Sequence, residues 1–289
     1  MSTLRSCTSR KVGRAALRLL WSVFLLNVDI CVAAEITLEA VLNGDHRQQS
    51  STRDRYRHPE QTLNFFELQP SQTVVEIWPG GAGWYSEILA PFLRDHGKFY
   101  AAQFNADSTS AFYRRSRQQF VDKMESQPAL YSQVMVTSFN PPDDTEIAPP
   151  GSADRVLTFR NVHNWYIGGG EQRVVEAFKA FYRALKPGGL LGVVEHRLPE
   201  ERPANEMVSS GYMQQSFVVY AAEKAGFKLV ASAEINANPA DNARHPEGVW
   251  SLPPTLREGN NNQTAYLAIG ESDRMTLKFI KPSVAKSSN

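Results

Sequence analysis

The chain has 289 residues, 42% of them hydrophobic and 21% charged, with a formal net charge of +1. That composition suits a sizeable globular core that needs no disulfide or metal staple, and it excludes a disordered or collagen-like chain. Without the basic N-terminal segment described next the balance turns acidic, and no basic face of the kind that holds nucleic acid is expected.

The N-terminus stands apart. Arg5, Arg10, Lys11, Arg14 and Arg18 form a basic head without an acid, and Leu19 to Val32 is mostly apolar. Val32-Ala33-Ala34 puts small residues where a signal peptidase needs them. The apolar run, interrupted by Asp29, is short for a membrane span. Residues 1–34 therefore read as a signal peptide. The mature protein reads as periplasmic or secreted, with no stable membrane insertion after cleavage. Cleavage leaves 26 basic against 29 acidic residues, a net charge of −3, and removes both cysteines, Cys7 and Cys31. A mature chain without thiols has no disulfide framework and no cysteine-based metal site.

Residues 35–289 read as a single domain, with an N-terminal helical approach over 35–70 and a long late loop over 236–262. Leu38, Val41 and Leu42 mark a short amphipathic helix. Arg47 to Arg57 is polar and arginine-rich and reads as a surface loop, and Pro59 opens a helix. Thr73 to Ile77 is a short buried strand, followed by the turn Pro79-Gly-Gly-Ala-Gly83. Helix Trp84 to Arg94 comes next, with Trp84, Ile88, Leu89 and Phe92 at helical spacing. Lys98 to Phe104 is the second strand, Ser110 to Met124 a charged helix, Tyr131 to Ser138 the third strand and Asp154 to Phe159 the fourth. Gly168-Gly-Gly170 breaks the chain before helix Glu171 to Leu185. Pro187-Gly-Gly189 turns into an apolar fifth strand, Leu190 to Val194. Tyr212 to Ala225 is a helix stopped by Gly226, with Tyr212 and Tyr220 as core or pocket wall. Phe227 to Ile235 and Met275 to Ile280 are the last strands. Strands alternating with helices predict an α/β fold: a Rossmann-like, doubly wound, mostly parallel sheet with helices on both faces.

The chemistry gathers at the carboxyl ends of the strands, the ligand edge of an open α/β sheet. Glu76 ends the first strand, and the loop glycines Gly80, Gly81 and Gly83 let backbone N–H groups approach a ligand. Arg160-Asn-Val-His-Asn-Trp165 follows the fourth strand. His163 is the general-base candidate, because imidazole titrates near neutrality. Arg160 and Asn161 are ligand contacts, and Trp165 an aromatic wall. Glu195 and His196 end the fifth strand as a candidate acid–base pair, although neighbours on a strand point to opposite faces. No metal is expected, since no His-x-x-x-His or cysteine spacing supports one. No Gly-x-Ser-x-Gly elbow or Gly-Lys-Ser/Thr loop is present, which excludes hydrolases of those kinds. Trp250, in the late loop, reads as the anchor of a lid.

Three stretches together carry a resemblance: Val74-Val-Glu-Ile with its glycine loop, Asp154-Arg-Val-Leu-Thr-Phe-Arg-Asn-Val-His163, and Ala184-Leu-Lys-Pro-Gly-Gly-Leu-Leu-Gly-Val-Val194. In this order, over roughly residues 60–235, they resemble the class I S-adenosylmethionine-dependent methyltransferases. More narrowly, the chain is similar to a group of predicted exported bacterial methyltransferases with no settled substrate. The resemblance implies a seven-stranded sheet with S-adenosyl-L-methionine across the ends of strands one and two. Glu76 would meet the methionine amino group, and the acceptor would be a small molecule. Two positions depart from the family pattern: Trp78 stands where it has glycine, and Gln103 where it has an acid for the ribose hydroxyls. A ring at 78 narrows the pocket. Gln103 offers only neutral hydrogen bonds, roughly half as strong as charge-assisted ones. Both remain expected cofactor contacts. A nicotinamide-binding reading through Gly81-Ala-Gly83 is weaker, because it too expects an acid where Gln103 stands. The alternative from another class is a non-catalytic periplasmic ligand-binding protein that keeps the fold.

Overall fold

The computed structural model describes residues 36–283. The predicted signal peptide lies outside the described residues. Among the described residues no helix is long and apolar enough to cross a membrane.

Among the described residues eight strands form one sheet: β1 Thr73–Ile77, β2 Lys98–Gln103, β3 Val134–Ser138, β4 Ala153–Phe159, β5 Leu185–Leu198, β6 Met213–Gln214, β7 Lys228–Ala233 and β8 Arg274–Ile280. Seven of them run in the order β3-β2-β1-β4-β5-β8-β7, and the two-residue β6 pairs with the end of β5. The ladders from β3 to β5 are parallel, whereas β8 is antiparallel to both β5 and β7. The expected seven strands are thus present with an eighth, short one added, and the sheet is mixed at one end. Parallel strands covered on both faces must be apolar throughout. Val74, Val75, Val156, Leu157, Leu191 and Val193 satisfy this and are all fully buried.

The helices divide between the two faces. On one, Val41, Leu63, Ile88, Leu89, Phe92, Phe120 and Met124 form a core with Val74 and Phe99. On the other, Val174, Phe178, Phe181, Val218 and Ala221 pack against Val75, Val156 and Val193. The helix after β4 runs Val162–Ala184 and begins earlier than the glycine run suggests. Gly169 and Gly170 leave helical geometry inside it and kink it, so the predicted break is real but lies within one element.

The antiparallel β8 has a consequence for the site. Its register pairs His196 with Arg274 and Glu195 with Met275, so its amino end lies at the sheet's carboxyl edge. Glu271 and Ser272, just before β8, are thereby brought to that edge.

β5 extends beyond the expected Leu190 to Val194 at both ends. At Gly192 an added Cβ would meet Leu157 and the ring of Phe66 at 2.8 Å. Glycine there lets the N-terminal helical segment sit directly on the sheet. Gly192→Ala should cost about 1–3 kcal/mol by overpacking. Urea unfolding is the measurement, and unchanged stability would mean that Phe66 is not seated there.

One sequence expectation is overturned. The stretch 47–57 is not a surface loop but a run of short helical turns, in which Arg47 and Arg57 are buried. Both guanidiniums lie over the ring of Trp84, at 5.2 and 4.5 Å from its centre. Arg47 is forked onto Asp54 at 3.1 and 2.7 Å, and Arg57 reaches Glu271 at 3.3 Å. Partners distant in the sequence thus take in residues that look solvated when read alone.

Candidate active site

At the carboxyl edge of β1, β4 and β5 lies a cavity of about 320 Å³. Glu76, Trp78, Gly80 and Gly81 wall one side, Arg160, Asn161, His163 and His196 another. Trp250 and Pro253 of the late loop cover it, and Phe104, Phe112 and Tyr113 give it an aromatic flank.

Glu76 is buried and accepts a 2.6 Å hydrogen bond from the Ser86 hydroxyl. Burial pushes its carboxyl up to about 8, against the opposing pull of that hydrogen bond and of Arg57. At neutral pH it is therefore mostly protonated. A Cβ at Gly80 would meet nothing within 4 Å, so the loop backbone faces open space there. Asn161 donates to the Ile77 carbonyl at 2.8 Å, tying the ends of β1 and β4 together.

Two cavity residues hold the left-handed backbone conformation without being glycine: Trp78, with φ 47°, and Arg160, with φ 63°. Such strain persists only where surrounding contacts enforce it. For Trp78 the contacts are plain. Its amide continues the β1–β2 ladder to Ala102 O at 2.8 Å, and its indole N–H donates to Phe139 O at 2.8 Å. Its ring packs against Phe104, Tyr113, Phe139 and Trp165, with centres 4.8 to 6.0 Å apart. The indole closes the cavity on the β2–β3 side.

The start of helix Val162–Ala184 is held from β5. Glu195 is fully buried, and its Oε2 accepts the backbone N–H of Val162 at 2.6 Å and of His163 at 3.4 Å. A carboxylate thereby satisfies N–H groups that a helix start leaves open, and it sits at the positive end of the helix dipole. Its Oε1 accepts the His196 N–H at 2.8 Å and lies 2.9 Å from His163 Nδ1. Since Glu195 acts as acceptor throughout, the network assigns the proton to His163 Nδ1 and leaves Nε2 as the basic nitrogen. Glu195 thus pairs with His163 and not, as its sequence position suggests, with His196. The His196 imidazole is pushed well below its ordinary value by burial, then by His163 and the nearby arginines, and is neutral. Its Nδ1 lies 2.6 Å from the Ser272 hydroxyl.

Ligand atoms of His163, Glu195 and His196 lie within 4.8 Å of one another. A metal held by all three would have to compete with four hydrogen bonds already made to Glu195. The arrangement is better matched to a positioned base than to a metal centre.

Beyond the histidines a cluster of arginines borders the cavity, with Arg57 and Arg160 on its wall. Glu271 receives Arg53 Nε at 2.7 Å, with Arg57 Nε and Arg274 Nη1 at 3.3 Å. Burial alone would raise the Glu271 carboxyl, but Arg57, Arg274, Arg160 and Arg53 outweigh it and hold the group at about 2.

Compared with known proteins, the chain matches no family model and no curated protein sequence. Solved structures do match. A SAM-dependent methyltransferase from Aquifex aeolicus shares 16% identity over 70% of this chain and 94% of its own, with a TM-score of 0.50. The [4+2]-cyclase SpnF shares 16% over 82% of this chain and 85% of its own, with a TM-score of 0.55. The phosphoethanolamine N-methyltransferase 2 of Haemonchus contortus, in complex with S-adenosyl-L-methionine, shares 13% over 87% of this chain and 59% of its own, with a TM-score of 0.53. The fold is that of the class I methyltransferases. The presence of a cyclase among its neighbours shows that this fold does not by itself set the reaction.

On this methyltransferase fold the expected site residues separate into two groups. Glu76, Trp78, Gly80, Gly81, Arg160, Asn161, His163 and His196 line the cavity. Gly83, Gln103 and Glu195 do not. Gly83 is packed on helix Ala111–Ser126, where a Cβ would meet the Phe120 ring at 2.8 Å. The Gln103 amide is spent on backbone: it donates to Gly80 O at 2.8 Å and accepts from Phe104 N at 3.0 Å. Glu195 acts through His163. Trp165 is core rather than cavity wall, fully buried against Phe178 and Phe181. Tyr212 is core as well and donates to Asp241, whereas Tyr220 is 47% exposed.

Sequence reasoning missed Arg57, Tyr85, Phe159, Glu271 and Ser272, all on the cavity wall. Tyr85 and Phe159 stack with centres 3.5 Å apart. The one available signal was the arginine density of 47–57.

Proposed function

We propose that the chain is an S-adenosylmethionine-dependent methyltransferase acting on a small-molecule acceptor. The observation that carries the reading is one cavity, in this fold, that joins a buried carboxyl on β1, an open glycine loop and a histidine oriented by a carboxylate. The residues fit the cofactor at its amino-acid end, where Glu76 suits the ammonium group, and on the aromatic flank of Phe104, Phe112 and Tyr113, which suits a flat base. Gln103 is turned away from any ribose, so that part of the ligand would rely on other contacts.

When bound, S-adenosylmethionine supplies a methyl group on a positively charged sulfur, already activated for displacement. What remains for the protein is placement and one proton. Glu76 binds and orients the amino-acid end. His163 Nε2 accepts the proton from the acceptor O–H or N–H, and Glu195 stabilises the imidazolium that results. Trp250, whose ring centre lies 6.1 Å from that of His163, excludes water above the base. Read with the N-terminal signal pattern, this chemistry belongs to an exported enzyme.

Calorimetric titration of the mature protein with S-adenosylmethionine and its demethylated product tests the reading. Saturable micromolar binding supports it; binding to neither sinks it. Glu76→Ala should weaken binding by ~1.5–3 kcal/mol, the worth of a hydrogen bond to a charged group. Unchanged affinity would mean that the amino-acid end sits elsewhere.

A further inference from the structure

We infer that the end of the cavity walled by Arg57, Arg160 and Ser272 is an oxyanion-binding subsite, and that it takes the carboxylate or phosphate group of the acceptor. This rests on the methyltransferase reading for the word acceptor, but not for the subsite itself.

Arg57 is 1% exposed, and its single side-chain hydrogen bond among the described residues is the 3.3 Å contact from Nε to Glu271. Its Nη2 is buried with no partner among the described residues. Arg160 also lines the cavity, and among the described residues its guanidinium makes no hydrogen bond or ion pair. A buried guanidinium nitrogen without an acceptor, as in Arg57, is costly to keep unless a ligand completes it, and the partly buried Arg160 guanidinium beside it has its donors open to the cavity. A carboxylate or phosphate matches their planar, forked donors.

The charge balance points the same way. Arg53, Arg57 and Arg274 share one carboxylate, that of Glu271, and Arg160 stands beside them with none. Burial lowers Arg160 to about 10, against the pull of Glu271 and with Arg274 and Arg53 adding to the lowering, which leaves it cationic at neutral pH. Glu76, the other cavity acid, is mostly protonated there. An entering anion therefore meets an excess of positive charge, four guanidiniums against the one carboxylate of Glu271.

The position selects the acceptor over the cofactor. Arg160, just after β4, and His163, in the first turn of the helix that follows, lie three residues apart, whereas Glu76 and the glycine loop belong to the end of β1. An acid group held by Arg160 keeps its molecule beside the base. Tyr85 and Phe159, on the same wall, suit an apolar or aromatic body attached to that acid.

The test uses the mature protein with three probes, benzoate, inorganic phosphate and neutral benzamide, titrated by calorimetry with and without saturating S-adenosylhomocysteine. Benzoate or phosphate should bind saturably, at least tenfold tighter than benzamide binds, and should still bind when S-adenosylhomocysteine is present. Arg160→Gln should weaken oxyanion binding at least tenfold, and Arg160→Lys, which keeps the charge but not the fork, should recover part of it. An unchanged thermal midpoint in both variants separates lost binding from misfolding. Equal binding of benzoate and benzamide, or an Arg160→Gln protein with undiminished oxyanion affinity, overturns the subsite. Displacement of the oxyanion by S-adenosylhomocysteine assigns the arginines to the cofactor's own carboxylate and overturns the acceptor assignment. If oxyanions bind and S-adenosylhomocysteine does not, the methyltransferase reading fails while the subsite stands.

Discussion

Replacing Glu195 by alanine will destabilise the protein by about 3–5 kcal/mol, the cost of breaking a buried charged network from one side. For a domain of this size that lowers the thermal midpoint by roughly 6–20 °C. The reason lies in what the carboxylate holds. It joins the end of β5 to the first turn of helix Val162–Ala184 through the N–H groups of Val162, His163 and His196 and through the His163 ring. Alanine leaves those donors buried and unpaired. Glu195→Gln preserves volume but puts an amide N–H against donors, so it should cost less, about 1–3 kcal/mol. It also removes the charge that stabilises the His163 imidazolium, and methyl transfer should fall by ~10²–10⁴, the range of general-base catalysis. Chemical denaturation and steady-state kinetics read the two effects separately. An alanine variant within about 1 kcal/mol of wild type, on the scale of ordinary surface changes, would show that Glu195 is not the helix anchor.

The second large effect is a dependence of stability on pH that Glu76→Gln should abolish. The Glu76 carboxyl titrates at about 8 in the folded protein, against an ordinary value of 4.5. The folded state therefore holds a proton that the unfolded chain gives up. That stabilising contribution is fully present below about pH 4.5 and is lost as the pH rises through about 8. Across the window the wild type should lose stability relative to Glu76→Gln by up to ~1.4 kcal/mol per pH unit, on the order of 3–5 kcal/mol in all. Parallel urea titrations between pH 5 and 8.5 measure it, and identical slopes would show that the carboxyl titrates normally. A ligand ammonium drawn against Glu76 restores the charged form. Binding of S-adenosylhomocysteine at pH 7 should then release close to one proton, detectable as a buffer-dependent heat.

The sequence and the structure agree most closely where the signal is local. The buried strand Thr73–Ile77, its glycine loop and the helix that follows are written in consecutive residues, and so are the turn and strand around Pro187 to Val194. The stretch after β4 that carries Arg160, Asn161 and His163 was legible at the sheet's edge for the same reason, although the helix begins there earlier than expected. What escaped depends on pairing across the chain. Glu271 and Ser272 reach the cavity only because β8 runs antiparallel beside β5. Arg57 is drawn in by Trp84 and by Glu271, which is 214 residues away. Side-chain direction was the other blind spot. Gln103 stands at the expected ligand position, yet it spends its amide on the backbone. Glu195 follows strand alternation away from His196 and finds His163 on a different element.

The two hydrogen bonds of Gln103 have a further meaning. One fastens the Gly80 carbonyl to the end of β2 within the folded chain itself, and the other, from Phe104 N–H, holds the Gln103 side chain in place to do so. An unfastened glycine loop would have to give up its conformational freedom when a ligand arrives, and the affinity would be lower by that amount. Here the ordering is completed during folding, so the loop meets its ligand already shaped. An acid at position 103 would add a charged partner for a ribose but remove the amide N–H that holds the loop. The chain has chosen preorganisation over one more polar contact.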